Sequence, residues 1–276
     1  MTTTLRPAGP EERQDDGARA RRYDVCVNSR RVGGIRLATD ARFGPSAGRI
    51  VGLDIDPPDR HRGRATVAAL AAEEVLRGWG CRQIEVTVPA EATAALRLAA
   101  ALGYTERSRT MSKPLNGPPR LPGDSRDRPL GEADFPAWLA AALATYTRTQ
   151  RGQGMTRARA EEAAAVSHRA LLPDGLGTPG QVLRVLEHGG ADVGSLWLSL
   201  QMPGQPGGYV VDVQVAAEHR GRGHGRTLML VAERETLAAG RSTLGLHVYA
   251  DNAPARALYD ALGYRPTGHL LWKPIL

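Results

Sequence analysis

One stretch of the sequence decides the fold: residues 210–240, which read VVDVQVAAEHRGRGHGRTLMLVAERETLAAG. Val210–Val215 is rich in β-branched side chains and predicts a strand. Gly225–Ala239 predicts a helix, and Gly240 stands where a C-terminal cap glycine belongs. Between the strand and the helix lies a loop of arginine and glycine, Glu218–Arg226. A strand, a glycine-rich loop and a helix in this order are typical of an α/β domain.

The loop has the features of a site for an anionic ligand. Glycine lets backbone N–H groups approach a ligand closely, and the first-turn N–H groups of a helix have no acceptor within that helix. The helix dipole adds positive potential at the same end, and Arg220, Arg222 and Arg226 add charge. These features favour a pyrophosphate. A solvated turn or an RNA-binding arginine–glycine segment is the alternative interpretation.

The chain carries one pattern twice, at an offset of 160 residues. Leu102–Tyr104 matches Leu262–Tyr264, both reading LGY, and Lys113–Pro114 matches Lys273–Pro274. A repeat that holds its register over this length predicts two copies of one domain. The same shift relates Gly34 to Gly194, Arg60 to Arg220, Gly63 to Gly223, Glu73 to Glu233 and Gly80 to Gly240.

Composition divides the chain into four parts. Residues 1–22 are polar and predict a flexible N-terminus, followed by the first copy at 23–115. Residues 116–128 are rich in proline, glycine and charge and predict a linker. The second copy occupies 129–276.

The second copy has a front section that the first copy lacks. Helices are predicted over 135–149 and over 156–172, where Thr156 can cap the start and Pro173 ends the pattern. The first copy is therefore predicted to be truncated and unable to complete a domain alone. The fold class that follows is α/β, with two tandem domains, each a mixed central sheet flanked by helices. Further strands of the second copy are predicted at 182–187, 193–200, 244–248 and 265–273.

Residues 130–276 resemble the GNAT superfamily of N-acetyltransferases. The family's acyl-CoA signature, Gln/Arg-x-x-Gly-x-Gly/Ala, is met by Arg220–Gly225. Its later signature is met by Asn252, by Tyr259 seven residues on and by Leu262–Tyr264. The resemblance implies acetyl-CoA as cosubstrate and direct transfer of its acetyl group to a primary amine while both substrates are bound.

The resemblance also implies which residues bind the donor. In the family, the strand that matches residues 213–215 lies beside the pantetheine arm, and its backbone amides bind that arm and the thioester carbonyl. One of these amides would stabilise the developing oxyanion, which is worth ~3–4 kcal/mol where such a donor has been removed. The cofactor-binding residues predicted in this way are Val213, Gln214, Val215, Arg220, Gly221, Arg222, Gly223, His224, Gly225, Arg226, Asn252 and Ala255.

Tyr259 is the predicted general acid. When the amine attacks, the departing CoA thiolate needs a proton, and a phenol with a pKa of about 10 stays protonated at neutral pH. Asn252 and Tyr259 are two helical turns apart, so they project from one face of a helix. An aromatic packing role is the alternative for Tyr259.

The general base is open between His247 and Asp212. An alkyl ammonium must lose a proton before it attacks, and a histidine can accept it directly or through water. Several family members place a carboxylate at the His247 position, and Asp212 on the neighbouring strand is the competitor. Gln214 occupies a position that is often acidic in relatives and cannot act as a base. His219 and His224 are expected to flank the phosphate loop.

The first copy has lost this chemistry, because alanine cannot donate a proton. It is therefore predicted to be non-catalytic, and its CoA site is expected to be empty because a histidine replaces a loop glycine. The replacements are Asn252 by Ala92, Tyr259 by Ala99, His247 by Thr87 and Gly221 by His61.

Composition limits location and partners. The 276 residues are 42% hydrophobic and 24% charged, which excludes wholesale disorder. No apolar run is long enough to span a bilayer and no secretory signal is recognisable, so a cytoplasmic protein without a membrane partner is expected. Cys26 and Cys81 have no metal-ligand spacing, so no metal is expected. Monomer and homodimer are both open.

Net charge leaves two other functions to consider. A charge of +7 favours polyanionic partners, but aromatic residues are only 5% of the chain, so a nucleic-acid-binding protein is unlikely on this composition. A regulatory pseudoenzyme that binds acyl-CoA is the other alternative. The acceptor is predicted to be a small molecule, an amino acid or a peptide. Candidates to line its pocket are Trp138, Tyr146, Trp197, Tyr249 and His269.

Overall fold

The computed structural model describes residues 3–14, 17–40 and 44–275. They form two compact units, each with its own hydrophobic core. The first unit comprises Met1–Arg109 and Thr267–Leu276, and the second comprises Thr110–Pro266. The prediction of two tandem α/β domains is confirmed.

The first unit is a mixed sheet with two packed helices. Its elements are β1 (Thr3–Pro7), β2 (Glu12–Arg13), β3 (Arg19–Val27), β4 (Arg30–Asp40), β5 (Gly44–Ile55), α1 (Arg64–Gly78), β6 (Gln83–Pro89), α2 (Thr93–Ala101), the start of β7 (Thr105–Pro114) and most of the chain's last strand, β13 (Arg265–Pro274). β1, β3, β4 and β5 are antiparallel neighbours, and β2 pairs with β3. β5 runs parallel to β6, which pairs antiparallel with β13. Leu37, Leu76 and Ile84 lie in the core, shielded from solvent.

The second unit has the same plan with two more helices. Its elements are the end of β7, β8 (Ser125–Pro129), α3 (Phe135–Gly152), α4 (Arg157–Leu171), β9 (Gln181–His188), β10 (Ala191–Ser199), β11 (Gly208–Val215), α5 (His224–Ala238), β12 (Thr243–Tyr249) and α6 (Ala253–Ala261). β8 to β11 form an antiparallel series, β11 runs parallel to β12, and β7 follows β12 in the sheet order.

The two faces of the second sheet have separate cores. Leu196 and Leu198 of β10 pack with residues of α5 and with Tyr259 of α6. Trp197, between them in sequence, belongs to the other core, with Leu183 and residues of α3 and α4. Alternate residues of a strand point to opposite faces, so α3 and α4 cover the face that carries Trp197.

The corresponding face of the first sheet is lined by arginine. In the described part of the first unit no helix corresponds to α3 or α4. Arg22, Arg36 and Arg49 occupy the positions that Leu183, Trp197 and Tyr209 hold in the second sheet. The predicted truncation is confirmed. Because no described helix covers this face, it contacts solvent, and polar side chains are expected on it.

The strand register corrects one pair of the sequence repeat. A Cβ added at Gly194 would lie 2.3 Å from the carbonyl oxygen of Gln214, and one added at Gly33 would lie 2.2 Å from that of Asp54. Gly33, and not Gly34, is therefore the structural equivalent of Gly194. The offset is 161 residues in this strand and 160 in the next, because the chain between the paired residues of β4 and β5 is one residue longer than the chain between those of β10 and β11.

The domain boundaries also differ from the predicted ones, because each unit contains a strand from the other copy of the repeat. β13 comes from the second copy, and its Gly268–Pro274 pairs with β6 in the first unit. The end of β7 comes from the first copy and belongs to the second unit. Both strands end in Lys-Pro, so the sequence does not reveal which sheet each of them joins.

The ends of the predicted linker and N-terminus are strands. Within residues 1–22, which we expected to be flexible, β1 pairs with β3 and Leu5 packs against the first core. Within the predicted linker, β8 begins at Ser125, which lies opposite His188 of β9. Both strands are short and polar, so composition alone does not identify them.

A buried lysine–glutamate pair lies at the end of β7. Lys113 Nζ is 2.7 Å from Glu233 Oε1 in α5. The Tyr264 hydroxyl donates to the same carboxylate oxygen at 3.2 Å. The charge of Glu233 is thus neutralised by a residue of the first sequence copy, within the second unit.

The first unit repeats this arrangement on β13. Lys273 Nζ is 2.8 Å from Glu73 Oε1, and the Tyr104 hydroxyl lies 3.5 Å from the same oxygen. Lys273 and Lys113 are the two lysines of the entire chain. Both are carried by the strands that belong to the unit of the other copy, and both neutralise a buried carboxylate there.

Candidate active site

The parallel ladder of the second sheet ends early and leaves an opening. Gly208–Val210 of β11 pairs with Leu244–Leu246 of β12, and the ladder stops there. On its other side β11 has a bulge at Val211, because Val210 lies opposite Leu198 while Asp212 lies opposite Trp197. A bulge bends and twists its strand. The end of β11 therefore separates from β12, and its backbone edge is available to a ligand.

The predicted phosphate loop follows directly on this strand. Gly221 and Gly223 have φ angles of +75° and +86°, a region that favours glycine. Gly223 caps the start of α5 without a side-chain hydrogen bond, so the first-turn N–H groups of α5 have no side-chain cap. Arg220 Nε donates to the carbonyl of Val215 at 3.1 Å and ties the loop to the end of β11.

The other residues predicted to bind the donor lie around this loop. Arg222 and Arg226 are exposed, and His224 is buried at the first position of α5. Gly225 lets α5 approach α6 closely, because an added Cβ would lie 3.3 Å from Leu258 Cδ2. The half-buried residues of this set are Val213, Gln214, Val215 and Ala255.

Three histidines meet behind the loop. The His224 ring centroid is 4.8 Å from that of His188 and 6.2 Å from that of His219. Burial, followed by the charges of His188, His219 and Arg222, lowers the pKa of His224. His188 also lies 3.0 Å from the hydroxyl of Ser125. Sequence reasoning missed His188, which reaches the loop from the end of β9. In the described part of the chain, no group of three or more His, Cys, Asp or Glu side chains could hold a metal ion.

α6 presents Asn252 and Tyr259 as predicted from their spacing. Asn252 caps the helix, and its Oδ1 accepts from the N–H of Ala255 at 3.2 Å. Tyr259 is 9% exposed, and its ring packs edge to face against that of Tyr264, with the ring centroids 6.0 Å apart. Burial, with a smaller effect of the Asp212 charge, raises the pKa of Tyr259 to about 12. Its hydroxyl therefore carries a proton at neutral pH.

Asp212 is held at the mouth of the opening by its neighbours. Gln214 Nε2 donates to Asp212 Oδ2 at 2.6 Å. Burial raises the pKa of Asp212, while the Gln214 hydrogen bond, the charge of His168 and the N–H of Val213 act in the opposite direction. The charge of Asp212 also raises the pKa of Tyr259, so these two predicted catalytic residues interact electrostatically.

His247 lies on β12 in a more exposed position. Its ring is perpendicular to that of Tyr249, with the centroids 4.9 Å apart. The Tyr249 hydroxyl accepts from Gln150 Nε2 of α3 at 2.9 Å. Gln150 was missed from the sequence, because nothing in a helix pattern distinguishes a buried glutamine that meets a strand end. Asp212 is thus the more sheltered of the two candidate bases.

Four of the five aromatic candidates for the acceptor pocket lie in the second unit. Trp138 and Trp197 pack edge to face, 5.6 Å apart, under α3, and Tyr146 contacts His168. His269 belongs to the first unit, where its Nδ1 is 2.6 Å from Glu106 Oε1. The role of His269 in an acceptor pocket stays a prediction.

The first unit keeps the framework of the opening. Its parallel ladder ends at Ile50 and Val86, the equivalents of Val210 and Leu246, and it has a bulge at Val51. Gly52 stands where the second unit has Asp212. The shape of a cleft is therefore retained without its candidate base.

The loop of the first unit is altered as well. His61 has a φ of +57°, a left-handed conformation that costs energy for a residue with a Cβ. Asp59 is buried and binds Arg30 through both of its oxygens, at 2.8 and 2.9 Å. Arg64, at the start of α1, lies 3.2 Å from the same carboxylate. A carboxylate thus already pairs with the side chain of the first residue of this helix.

A bulged strand that parts from its parallel neighbour, a glycine loop and a helix N-terminus together define an acyltransferase fold. The profile of the acetyltransferase (GNAT) family matches residues 3–104 and again residues 146–264. The chain belongs to this family and carries its domain twice.

Individual relatives agree with this assignment. The uncharacterized N-acetyltransferase YycN of Bacillus subtilis is 28% identical over 156 residues, covering 53% of this chain and 96% of that protein. Mycothiol acetyltransferase of Streptomyces bingchenggensis is 31% identical over 215 residues, covering 74% of this chain and 66% of that protein. A solved tandem GNAT protein from the clavulanic acid biosynthesis pathway shares the fold, with a TM-score of 0.53 at 20% identity, over 93% of this chain and 83% of that one.

Among the described residues, no helix has the length and apolar character needed to cross a membrane.

Proposed function

We propose that this chain is an acetyl-CoA-dependent N-acetyltransferase whose second unit acetylates a primary amine, with both substrates bound together. The observation that carries the proposal is the opening between β11 and β12, with Asp212 on β11 and with Tyr259, a protonated buried phenol whose pKa the Asp212 charge raises. The first unit is non-catalytic in this proposal, because Ala99 and Gly52 stand at these two positions.

The residues around the opening fit the donor. The first turn of α5 offers backbone N–H groups and a positive dipole to the pyrophosphate, next to the exposed Arg222. The free edge of β11 at residues 213–215 offers backbone groups to the pantetheine arm. One N–H of this edge would hold the thioester oxygen as negative charge develops on it.

Asp212 is the proposed general base. Its raised pKa brings the carboxylate closer to the basicity of an amine. It would take a proton from the ammonium group, and the amine nitrogen would then attack the thioester carbon. Asp212 is preferred to His247 because its charge acts on Tyr259 and because it is more sheltered from water.

Tyr259 is the proposed general acid. As the bond from carbon to sulfur breaks, its hydroxyl would give a proton to the leaving thiolate, and solvent would later restore that proton. The two proton transfers have opposite directions, so the site needs one ionised carboxylate and one protonated phenol at the same pH. Asp212 and Tyr259 meet this condition, because both are ordinarily in these states near neutral pH.

The proposed acceptor is a small-molecule amine, an amino acid or a peptide. The likeness to mycothiol acetyltransferase supports the small-molecule class. Within the opening, the Tyr249 hydroxyl and the His247 ring lie on the β12 side and are placed to contact an acceptor.

A thiol-release assay over a panel of primary amines tests the proposal. We expect acetyl-CoA to raise the melting temperature of the wild type, and at least one amine to release CoA at a rate that Tyr259→Phe lowers. Tyr23→Phe, a buried tyrosine of the first core, is the matched control and should keep the wild-type rate. Binding without release for any amine would favour the regulatory pseudoenzyme. Absence of binding would refute both.

A further inference from the structure

A histidine that the proposed mechanism has not used lies over the strand that carries Asp212. His168 of α4 is 7% exposed, and its ring is 5.2 Å from that of Trp197 and 5.8 Å from that of Tyr146. Trp197 is the cross-strand partner of Asp212 at the bulge of β11. The histidine is therefore fixed on the sheet face toward which Asp212 projects.

The hydrogen bonding of His168 fixes its tautomer. Nδ1 lies 2.8 Å from the carbonyl oxygen of Ala164, one turn earlier in the helix. A carbonyl only accepts, so Nδ1 carries the proton and Nε2 is left as the proton acceptor of the neutral ring. Nε2 makes no hydrogen bond to the described residues, and it is not among their fully buried unpartnered atoms, so water can reach it.

Packing alone would not require a histidine here. The ring is surrounded by Trp197 and Tyr146, and an apolar side chain would fill such a site without burying a polar group. The described titratable groups that face His168 from the neighbouring elements are Tyr146 on α3 and Asp212 on β11. Asp212 is the carboxylate of this set, and the charge of His168 acts to lower its pKa.

We propose that His168 is a positioning residue for Asp212. Through a water molecule, His168 receives the proton that Asp212 has removed from the amine. The proton passes from the ammonium nitrogen to the Asp212 carboxylate, from there to water, and from water to His168 Nε2, and it leaves as the imidazolium loses it to solvent. Asp212 is thereby ionised again for the next turnover. This inference rests on the proposed function.

His168→Gln tests the inference, because glutamine keeps a polar side chain of similar length but takes up no proton at neutral pH. Loss of a supporting group that acts through another residue is expected to lower kcat by roughly 10–100-fold, with the KM for acetyl-CoA unchanged. The acid limb of the pH profile of kcat/KM should move to higher pH, since the cation that favours the Asp212 carboxylate is gone.

Gln181→Leu is the matched structural control. Gln181 accepts from the indole N–H of Trp197 at 2.8 Å, so this variant loosens the packing under His168 without removing the imidazole. It should lower the melting temperature and leave the pH profile in place.

The outcomes separate the inference from the function on which it rests. A His168→Gln enzyme with the wild-type pH profile and only a lower melting temperature would show that His168 merely packs. Wild-type activity in Asp212→Asn would instead overturn the proposed base. The same shift of the acid limb in Gln181→Leu and His168→Gln would also count against the inference, because packing would then explain both.

Discussion

Tyr259 and Asp212 illustrate how burial acts on two groups of opposite function. Loss of water raises the pKa of both, because each is charged when deprotonated. For the phenol this preserves the proton that it must donate. For the carboxylate it increases basicity. Burial therefore favours both of the proposed roles.

Removal of the Tyr259 hydroxyl should slow the reaction without weakening donor binding. Tyr259→Phe is expected to lower kcat by roughly 10²–10⁴, the usual scale for loss of a general acid. Its ring contact with Tyr264 is retained, so the fold should be unaffected. Steady-state kinetics and the dissociation constant of acetyl-CoA measure the two effects, and an unchanged kcat would remove Tyr259 from the mechanism.

Asp212→Asn should separate activity from stability. The folded state raises the pKa of Asp212, so the fold prefers the protonated form. The corresponding stabilisation is present at low pH and is lost as the pH rises through that pKa. At neutral pH the neutral asparagine should therefore raise the melting temperature while kcat/KM falls by at least tenfold. In the wild type, kcat/KM should fall as the pH is lowered, and the midpoint of this fall should lie above the ordinary pKa range of aspartate. Thermal melts of both proteins at pH 4 and pH 7 check the stability, and pH profiles of the rate check the activity. A melting temperature of Asp212→Asn below that of the wild type at neutral pH would contradict the argument.

Residues that lie along one element were predictable, and residues that meet by packing were not. Asn252 and Tyr259 share one helix, so their spacing alone places them on a common face. His168, His188 and Gln150 come from three separate elements and reach the site only through tertiary contacts. Asp212 could be named as a candidate but not preferred to His247, because burial is a property of the fold.

At the scale of elements, the opening depends on a close approach of β10 to β11. Gly194 has room for no side chain beside the carbonyl of Gln214, which lies 2.3 Å from the position of an added Cβ. A methyl group there would push β11 away at the residues that form its free edge. Most strands and helices followed from periodicity, but the bulge at Val211 did not, because a bulge changes the pairing and leaves the hydrophobic pattern intact.

Gly194→Ala is therefore expected to distort the donor site. We predict an acetyl-CoA dissociation constant at least tenfold higher, together with a lower melting temperature, because backbone atoms cannot yield as a flexible side chain does. Gly152→Ala is the control, since nothing lies within 4 Å of its added Cβ. Calorimetric titration of both variants checks the prediction, and equal affinities would contradict it.

At the scale of the whole molecule, each of the two lysines stabilises one unit of the fold. A buried carboxylate without its partner cation is costly, and each lysine neutralises one such carboxylate. The pair formed by Lys273 persists in the unit that has Ala99 at the position of Tyr259, so the arrangement serves the fold and not the proposed reaction. The repeat predicted both copies of the domain, but its symmetry hid the exchange of the last strands.

Replacement of either lysine should destabilise the chain. Lys113→Met and Lys273→Met are each expected to lower the free energy of unfolding by about 3 kcal/mol, near the low end for breaking a buried pair. Arg13→Met is the matched control, because its ion pair with Glu11 is exposed and should be worth at most about 1 kcal/mol. Urea denaturation measures all three, and equal losses would contradict the assignment.

The exchange of β7 and β13 has a consequence for how this gene can be divided. A break between residues 116 and 124 would yield two polypeptides, each missing a strand of its own sheet and each bearing the one that the other requires. Neither product should be recovered in native form by itself, whereas synthesis of both in one cell should restore a stable heterodimer. Deletion of either half of the duplicated gene is therefore expected to leave a single domain that does not fold.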